Sequence, residues 1–148
     1  MKSRKYGFIL VVILIFCLNY KDCFSQTMDS VRVYAVHMNI LYRWSLTKAL
    51  IPGAVEPIVL TDSNRLNKLY SSIIDSVRTG KGKKIKSNYP FDLRLYFEFF
   101  ENGMVTKEIG FTAQNEMFVN RCLYPYDKQK LKCLDEYIPD LTVTLGVK

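Results

Sequence analysis

The chain has 148 residues, of which 49% are hydrophobic and 14% aromatic, and its formal net charge is +7 at neutral pH. This length suits one ordinary domain with a sizeable core. The high apolar and aromatic content excludes the composition of a disordered chain.

The chain begins with the features of a secretory signal peptide. Lys2, Arg4 and Lys5 precede an apolar run over residues 8–18, which is interrupted only by Cys17. As a helix, this run would cover about 16 Å, roughly half of a bilayer core. A positive start followed by a short apolar run is typical of a signal for export.

The residues after this run place the cleavage site. A signal peptidase requires small residues one and three positions before the cut. Ser25 and Cys23 meet this requirement, so we expect cleavage between Ser25 and Gln26. The protein is then periplasmic or secreted, with residues 1–25 as the signal peptide and residues 26–148 as a single small domain.

Lipidation and retention of the uncleaved signal are the two alternatives for this region. A lipid-modified cysteine follows a small residue, whereas Cys17 follows Phe16 and Cys23 follows Asp22. Both contexts argue against a lipoprotein. Retention of the uncleaved signal would give a membrane-tethered accessory protein and stays open as a weaker alternative.

The net charge of the domain that remains after cleavage bears on the kind of partner it needs. Four of the 21 basic residues and one of the 14 acidic residues lie before residue 26, which leaves a net charge of +4. A charge of this size needs no nucleic-acid partner. Membrane contact is expected only transiently, through the signal peptide.

Two short strands are predicted at the start of the domain. Val31, Val33 and Ala35 alternate with polar and aromatic residues, which predicts a strand over residues 30–36. The sequence "HMNILYRWSLT" follows; it is apolar without a clear period and could continue the strand past a bulge. A β-branched stretch begun by Pro57 predicts a second strand over residues 58–61.

The clearest helix of the chain follows. Asp62 or Ser63 can cap its first turn, and Gly80 can take the left-handed position after its end. Its apolar residues recur at steps of three and four and form one stripe: Leu66, Leu69, Tyr70, Ile73, Ile74 and Val77.

A basic stretch, "KGKKIKSNYP", comes next. The spacing of Gly80 and Gly82 does not match a phosphate-binding loop, which needs four residues between its glycines and a Ser or Thr after the Lys. We therefore expect a solvated linker.

Residues 92–111 predict a β-hairpin around Asn102 and Gly103. A two-residue turn would set Phe99 opposite Thr106 and mix polar with apolar residues on each face. A three-residue turn that includes Glu101 would set Phe99 opposite Val105. This second register places the apolar residues of both strands on one side, beside the first helix: Leu93, Leu95, Phe97, Phe99, Val105, Ile109 and Phe111.

The other face of this hairpin holds two groups of interest. Glu98 and Glu108 become diagonal neighbours there, and paired carboxylates can perform acid–base hydrolysis, although a solvated sheet face explains them as well. Tyr96, Phe100 and Met104 form either an exposed aromatic ledge or, if the N-terminal strand or the C-terminal tail covers them, a second core.

The last third of the chain contains a second hairpin, with Asn120 and Arg121 at its bend. Asp127 then caps a short helix that ends before Pro139 and has Leu131, Leu134 and Ile138 as its apolar side. "LTVTLGV" predicts an edge strand. The order of elements predicts an α+β fold, an antiparallel sheet of about four to six strands with two helices packed on one face.

Few residues of the domain suit common chemistries. Cys122 and Cys133 form a disulfide in one interpretation and remain buried thiols in the other; their spacing does not suit redox catalysis. His37 is the only histidine of the chain and is interpreted as structural. No clustered metal ligands and no glycine motif for a nucleotide are visible, so no metal and no cofactor are expected.

The sequence therefore predicts a small exported, non-catalytic binding or interaction protein, whose partner is an unidentified protein or envelope ligand. Tyr96, Phe100 and Met104 are its candidate binding residues. The alternative is a small cell-envelope hydrolase that uses Glu98 and Glu108. A pocket enclosing both carboxylates would favour the hydrolase, and a flat open face would favour the binding protein.

Overall fold

The computed structural model describes residues 28–85 and 91–147 of the protein. The predicted signal peptide, with Ser25 and Gln26, and Lys86 of the basic stretch lie outside the described residues. Seven strands occur in the described part of the chain: β1 (Ser30–Ala35), β2 (Ile58–Leu60), β3 (Lys83–Lys84), β4 (Leu93–Glu101), β5 (Met104–Thr112), β6 (Glu116–Val119) and β7 (Cys122–Pro125).

These strands form one antiparallel sheet in the order β2-β1-β4-β5-β6-β7-β3. The helical segments of the described residues are α1 (Ile51–Ala54), α2 (Ser63–Ser72), a π-helical turn (Ile73–Val77), a 3₁₀ helix (Lys128–Glu136) and α3 (Leu141–Leu145). The predicted α+β class with an antiparallel sheet is confirmed. The sheet has more strands than the predicted four to six, in part because two lysines of the basic stretch pair with β7 as β3.

Helix α2 begins as its sequence predicts. The side chain of Asp62 accepts hydrogen bonds from the backbone N–H groups of Asn64 and Arg65. The helix continues into a π-helical turn over Ile73–Val77 and ends there, with Arg78 already extended. Gly80 is left-handed, with φ of +63°, but it lies beyond the cap position that we predicted for it.

The predicted register of the first hairpin is wrong, and the reason is a bulge. Glu101 pairs with Met104, so the turn contains two residues, Asn102 and Gly103, both with positive φ as a type I′ turn requires. One residue further along, the pairing shifts and leaves Thr106 as an extra residue. This bulge restores the match of apolar faces that a two-residue turn alone destroys.

The register shift changes which residues of β4 and β5 pair, but most apolar residues of β4 keep the predicted face of the sheet. Phe99 lies opposite Lys107 and Phe97 opposite Ile109. Leu95, Phe97 and Phe99 still face the helices and are fully buried, as predicted. Leu93 does not, because a second register shift at Arg94 turns Leu93 to the opposite face of the sheet.

The second hairpin is confirmed, and the end of the chain is corrected. Val119 pairs with Cys122 around Asn120 and Arg121, which both have positive φ. Asp127 caps the following segment by accepting from the N–H of Gln129, and the predicted apolar side, Leu131, Leu134 and Ile138, is buried.

The predicted C-terminal edge strand is a helix instead, α3. Leu141 and Leu145 lie one turn apart in it and are both buried in the main core, whereas Val143 between them is 72% exposed. Thr142, Val143 and Thr144 are β-branched and favour a strand, but burial of one helical face against the core outweighs a propensity worth less than about 1 kcal/mol.

The sheet separates two apolar cores. The main core lies between the sheet and the helices α2, 3₁₀ and α3, around Phe97, Phe99 and Phe111. The second core lies on the opposite face, where Ile51 of α1 and Leu46 cover the sheet. Its other members are Tyr34, Val36, Phe91, Leu93, Tyr96, Phe118 and Leu123. The long connection between β1 and β2 is therefore a structural layer of its own.

Candidate functional site

Five of the ten large apolar side chains that are exposed among the described residues lie in the connection from β1 to β2. We call residues 40–50 the apolar segment. Leu41 is 94% exposed and Trp44 is 70% exposed. The other exposed apolar side chains of this segment are Ile40, Tyr42 and Leu50. Single exposed apolar residues are ordinary on protein surfaces, but a contiguous group of them marks an interaction site.

Both backbone polar groups of Leu46 attach the apolar segment to the start of β4. The backbone N–H of Leu46 donates to Asp92 Oδ1 at 3.2 Å, and its carbonyl accepts from the N–H of Leu93 at 2.8 Å. The Leu46 side chain is buried in the second core. Lys48 adds an ion pair, with Nζ 2.5 Å from Glu108 Oε2. These attachments hold residues 40–45 as a loop that projects from a fixed base.

A buried arginine supports the start of this loop. Arg94 occupies the second register shift of β4, and its Nη2 donates to Asp92 Oδ2 at 2.8 Å. The Tyr42 ring lies over the guanidinium, with its centroid 5.3 Å from Cζ. Nε and Nη1 of Arg94 have no hydrogen-bond partner within the described residues. Arg94 therefore links β4, through Asp92 and Tyr42, to the apolar segment.

The charged residues within the apolar segment itself, Arg43 and Lys48, are both basic. No Asp or Glu occurs in residues 30–55, whereas Arg32, Arg43 and Lys48 are basic. The Arg43 guanidinium lies near the Trp44 indole, 5.4 Å from the ring centroid. Because Glu108 neutralises Lys48, Arg43 is the cation that accompanies the exposed side chains.

The predicted carboxylate pair lies on the same face of the sheet. Glu98 and Glu108 are directly opposite each other, not diagonal, because of the bulge at Thr106. Each accepts a hydrogen bond from a tyrosine: Tyr34 donates to Glu98 at 3.2 Å, and Tyr96 donates to Glu108. Lys48 also binds Glu108. This network ties β1, β4 and β5 to the base of the apolar segment.

Burial raises the pKa of the Tyr96 phenol far above its ordinary value, and the hydrogen bond to Glu108 and the charges of Glu108 and Glu98 raise it further. The unfolded chain loses this proton near pH 10, whereas the folded protein retains it. The unfolded state therefore binds fewer protons above pH 10, and the free energy of unfolding falls as the pH rises.

Above pH 10, the free energy of unfolding should fall less steeply with pH in Tyr96→Phe than in the wild type. The difference in slope is at most about 1.4 kcal/mol per pH unit, the value for one titrating group. Urea unfolding of both proteins between about pH 8 and pH 11 measures it. Tyr126, whose pKa is also raised by burial, keeps part of the slope in both. Equal slopes for the wild type and Tyr96→Phe would contradict the assignment to Tyr96.

The predicted binding residues do not form one continuous ledge. Tyr96 is 1% exposed and belongs to the second core, Phe100 is half-buried beneath the Arg32 guanidinium, and Met104 is exposed beside the turn. The second-core interpretation holds for Tyr96: the ring of Tyr34 in β1 stacks beside it, 5.9 Å between centroids, and Leu46 and Ile51 belong to the same core. A binding role for Phe100 and Met104 stays a prediction.

The predicted disulfide is absent: Cys122 and Cys133 are both free. Cys122 starts β7, whereas Cys133 lies on the 3₁₀ helix with its Sγ 3.5 Å from Ser72 Oγ of α2. The helix thus directs this thiol toward α2. His37 Nδ1 accepts a hydrogen bond from the N–H of Asn39, and its structural role stays a prediction.

Within residues 28–85 and 91–147, no three His, Cys, Asp or Glu side chains are grouped so that they could hold a metal ion. A shallow groove of about 440 Å³ lies along α2 and the following π turn, lined by Asn67, Lys68, Ser71, Ser72, Asp75, Ser76 and Tyr137. Neither Glu98 nor Glu108 lines this groove.

Comparison with protein-family models, with curated proteins and with solved structures finds no match to this chain. Among the helices of the described residues, none has the length and apolar character needed to cross a membrane. Sequence patterns did not identify the apolar segment, although its signal was present: an apolar stretch with neither a strand nor a helix period, without acidic residues, that contains the single tryptophan.

Proposed function

We propose that this protein is a small, non-catalytic exported interaction protein that binds its partner through the apolar segment, residues 40–50. The observation that carries this proposal is the exposure of Leu41 and Trp44, 94% and 70%, on a loop whose base is buried. Leaving such side chains in water forgoes the stabilisation of about 1.5–3 kcal/mol that burial of each would provide. A partner that covers them supplies that burial.

The attachments of the loop support a binding role. A flexible loop loses conformational entropy when it binds, and this cost lowers affinity. Here Leu46, Lys48 and the contact between Tyr42 and Arg94 already hold the loop against the sheet. The exposed side chains of Leu41 and Trp44 are therefore presented from a largely ordered base.

The hydrolase remains the second candidate, because Glu98 and Glu108 lie directly opposite each other on one sheet face. Against it, Tyr34 donates to Glu98, and both Tyr96 and Lys48 bind Glu108. These partners account for both carboxylates as structural groups that join three strands to the apolar segment. We therefore favour the interaction protein.

Site-specific photo-crosslinking tests the proposal. A photoreactive amino acid in place of Leu41 should crosslink to a partner, protein or lipid, in cells that export the protein. The matched control carries the same group at Val143, which is also exposed, at 72%, but lies on α3. Glu98→Gln in the Leu41 variant should leave the crosslink unchanged. Equal labelling from both positions, or none from either, would contradict the proposal.

A further inference from the structure

We infer that the partner of the apolar segment is an anionic lipid surface, into whose headgroup region Leu41 and Trp44 insert. This inference rests on the proposed function and names the chemistry of its partner. Its starting point is the set of side chains that the loop presents: aliphatic groups at Ile40 and Leu41, and aromatic groups at Tyr42 and Trp44.

These side chains match the chemistry of a bilayer interface. Tyr and Trp combine an apolar ring with one polar group and are enriched where hydrocarbon meets water. Leu41, the most exposed of the group, has no polar atom in its side chain and suits the boundary of the acyl chains. An irregular loop must keep its backbone hydrated, so insertion of this loop would be shallow.

Glu108 pairs with Lys48 at the base of the loop, so Arg43 is the charge that favours an anionic surface. Residues 30–55 contain no acidic residue, and Arg43 lies beside Trp44 with its guanidinium near the indole ring. Basic residues next to an interfacial apolar group are attracted to anionic headgroups, and this attraction is screened by salt. The chain as a whole is also positive, at +7, and remains so, at +4, after the predicted cleavage.

Trp44 provides the measurement, because it is the only tryptophan of the protein. The exported protein is titrated with phosphatidylcholine vesicles and with vesicles that also contain phosphatidylglycerol. The Trp44 emission should move to shorter wavelength with the anionic vesicles, and less or not at all with phosphatidylcholine alone. Added salt should weaken the response.

Two variants and a control locate the contact. Leu41→Ser should weaken vesicle affinity by roughly tenfold or more, since it removes one aliphatic side chain from the contact. Arg43→Gln should weaken binding only to the anionic vesicles. The Val143→Ser variant makes the same kind of change, from an aliphatic side chain to serine, at an exposed position on α3, and it should bind as the wild type does. Unchanged thermal unfolding confirms that each variant is folded.

The inference is wrong if neither vesicle shifts the Trp44 emission or if both vesicles give the same response. It is also wrong if Leu41→Ser and Val143→Ser lower vesicle affinity equally. Vesicle binding that leaves the Trp44 emission unchanged would place the contact elsewhere on the chain and also overturns it. If vesicles fail while the photoreactive group at position 41 crosslinks to a protein, the lipid partner is wrong and the proposed function stands.

Discussion

Phe97→Ala is expected to lower the free energy of unfolding by about 3–5 kcal/mol. Phe97 is fully buried at the centre of the main core, where its ring lies 6.1 Å from those of Phe99 and Phe111, centroid to centroid. Removing the ring loses its burial and leaves a cavity, because the sheet on one side and the helices on the other can collapse only partly.

The neighbouring residue on β4 is the control. Glu98 lies on the opposite face, half-buried, and its main contact is the hydrogen bond from Tyr34. Loss of one such bond is worth about 1 kcal/mol, so Glu98→Ala should cost much less than Phe97→Ala. Urea unfolding of both variants tests the assignment of faces. A larger loss for Glu98→Ala would show that the faces are assigned wrongly.

Gly110→Ala should destabilise the protein by about 1–3 kcal/mol through overpacking of the second core. A Cβ atom on Gly110 would lie 2.2 Å from Phe118 Cε1 and 2.7 Å from Leu93 Cδ2. Both side chains are buried, so neither can move into water to make room. The Phe118 ring also stacks on Phe91, at 4.7 Å between centroids.

Gly53→Ala is the matched change, because a Cβ atom there would meet nothing within 4 Å. Gly53 lies in α1, where alanine is the better helix former, so this variant should be as stable as the wild type or slightly more stable. Urea unfolding compares the two. Equal effects of the two substitutions would mean that Gly110 is not closely covered by Phe118 and Leu93.

The first hairpin illustrates how far a sequence pattern reaches. Alternation along β4 correctly predicted that Leu95, Phe97 and Phe99 share the core face. It did not predict their partners, because matching the two apolar faces implies a three-residue turn, whereas the chain keeps a two-residue turn and inserts a bulge at Thr106. Turn length and bulges both change the register by one residue, and a sequence pattern cannot separate them.

The carboxylate pair shows the consequence for the candidate site. Alternation placed Glu98 and Glu108 on one face, which is correct, but the wrong register made them diagonal neighbours. Their partners were beyond prediction, since Tyr34 and Lys48 are 64 and 60 residues away in the chain. Such contacts depend on which strands become neighbours in the sheet.

Features set by a few adjacent residues were determined by the sequence itself. The stripe of α2, its cap at Asp62, the turn at Asn120 and Arg121 and the apolar side of the 3₁₀ helix all follow from propensity, capping and periodicity within one or two turns of chain. These local preferences agree with one another, and the structure follows them.

The tertiary structure alone decided which apolar residues are covered. Tyr96 is a candidate binding residue whose exposure the sequence left open, and it is buried. Leu41 and Trp44 lie in a stretch for which the sequence offered only a continued strand, and they are exposed. The difference arises because Leu46 is attached to Asp92 and Leu93, 46 and 47 residues further along the chain. Because of this attachment, Leu46 packs in the same core as Tyr96, and the residues just before Leu46 are exposed to solvent. Burial depends on contacts between segments distant in sequence, which no local period encodes.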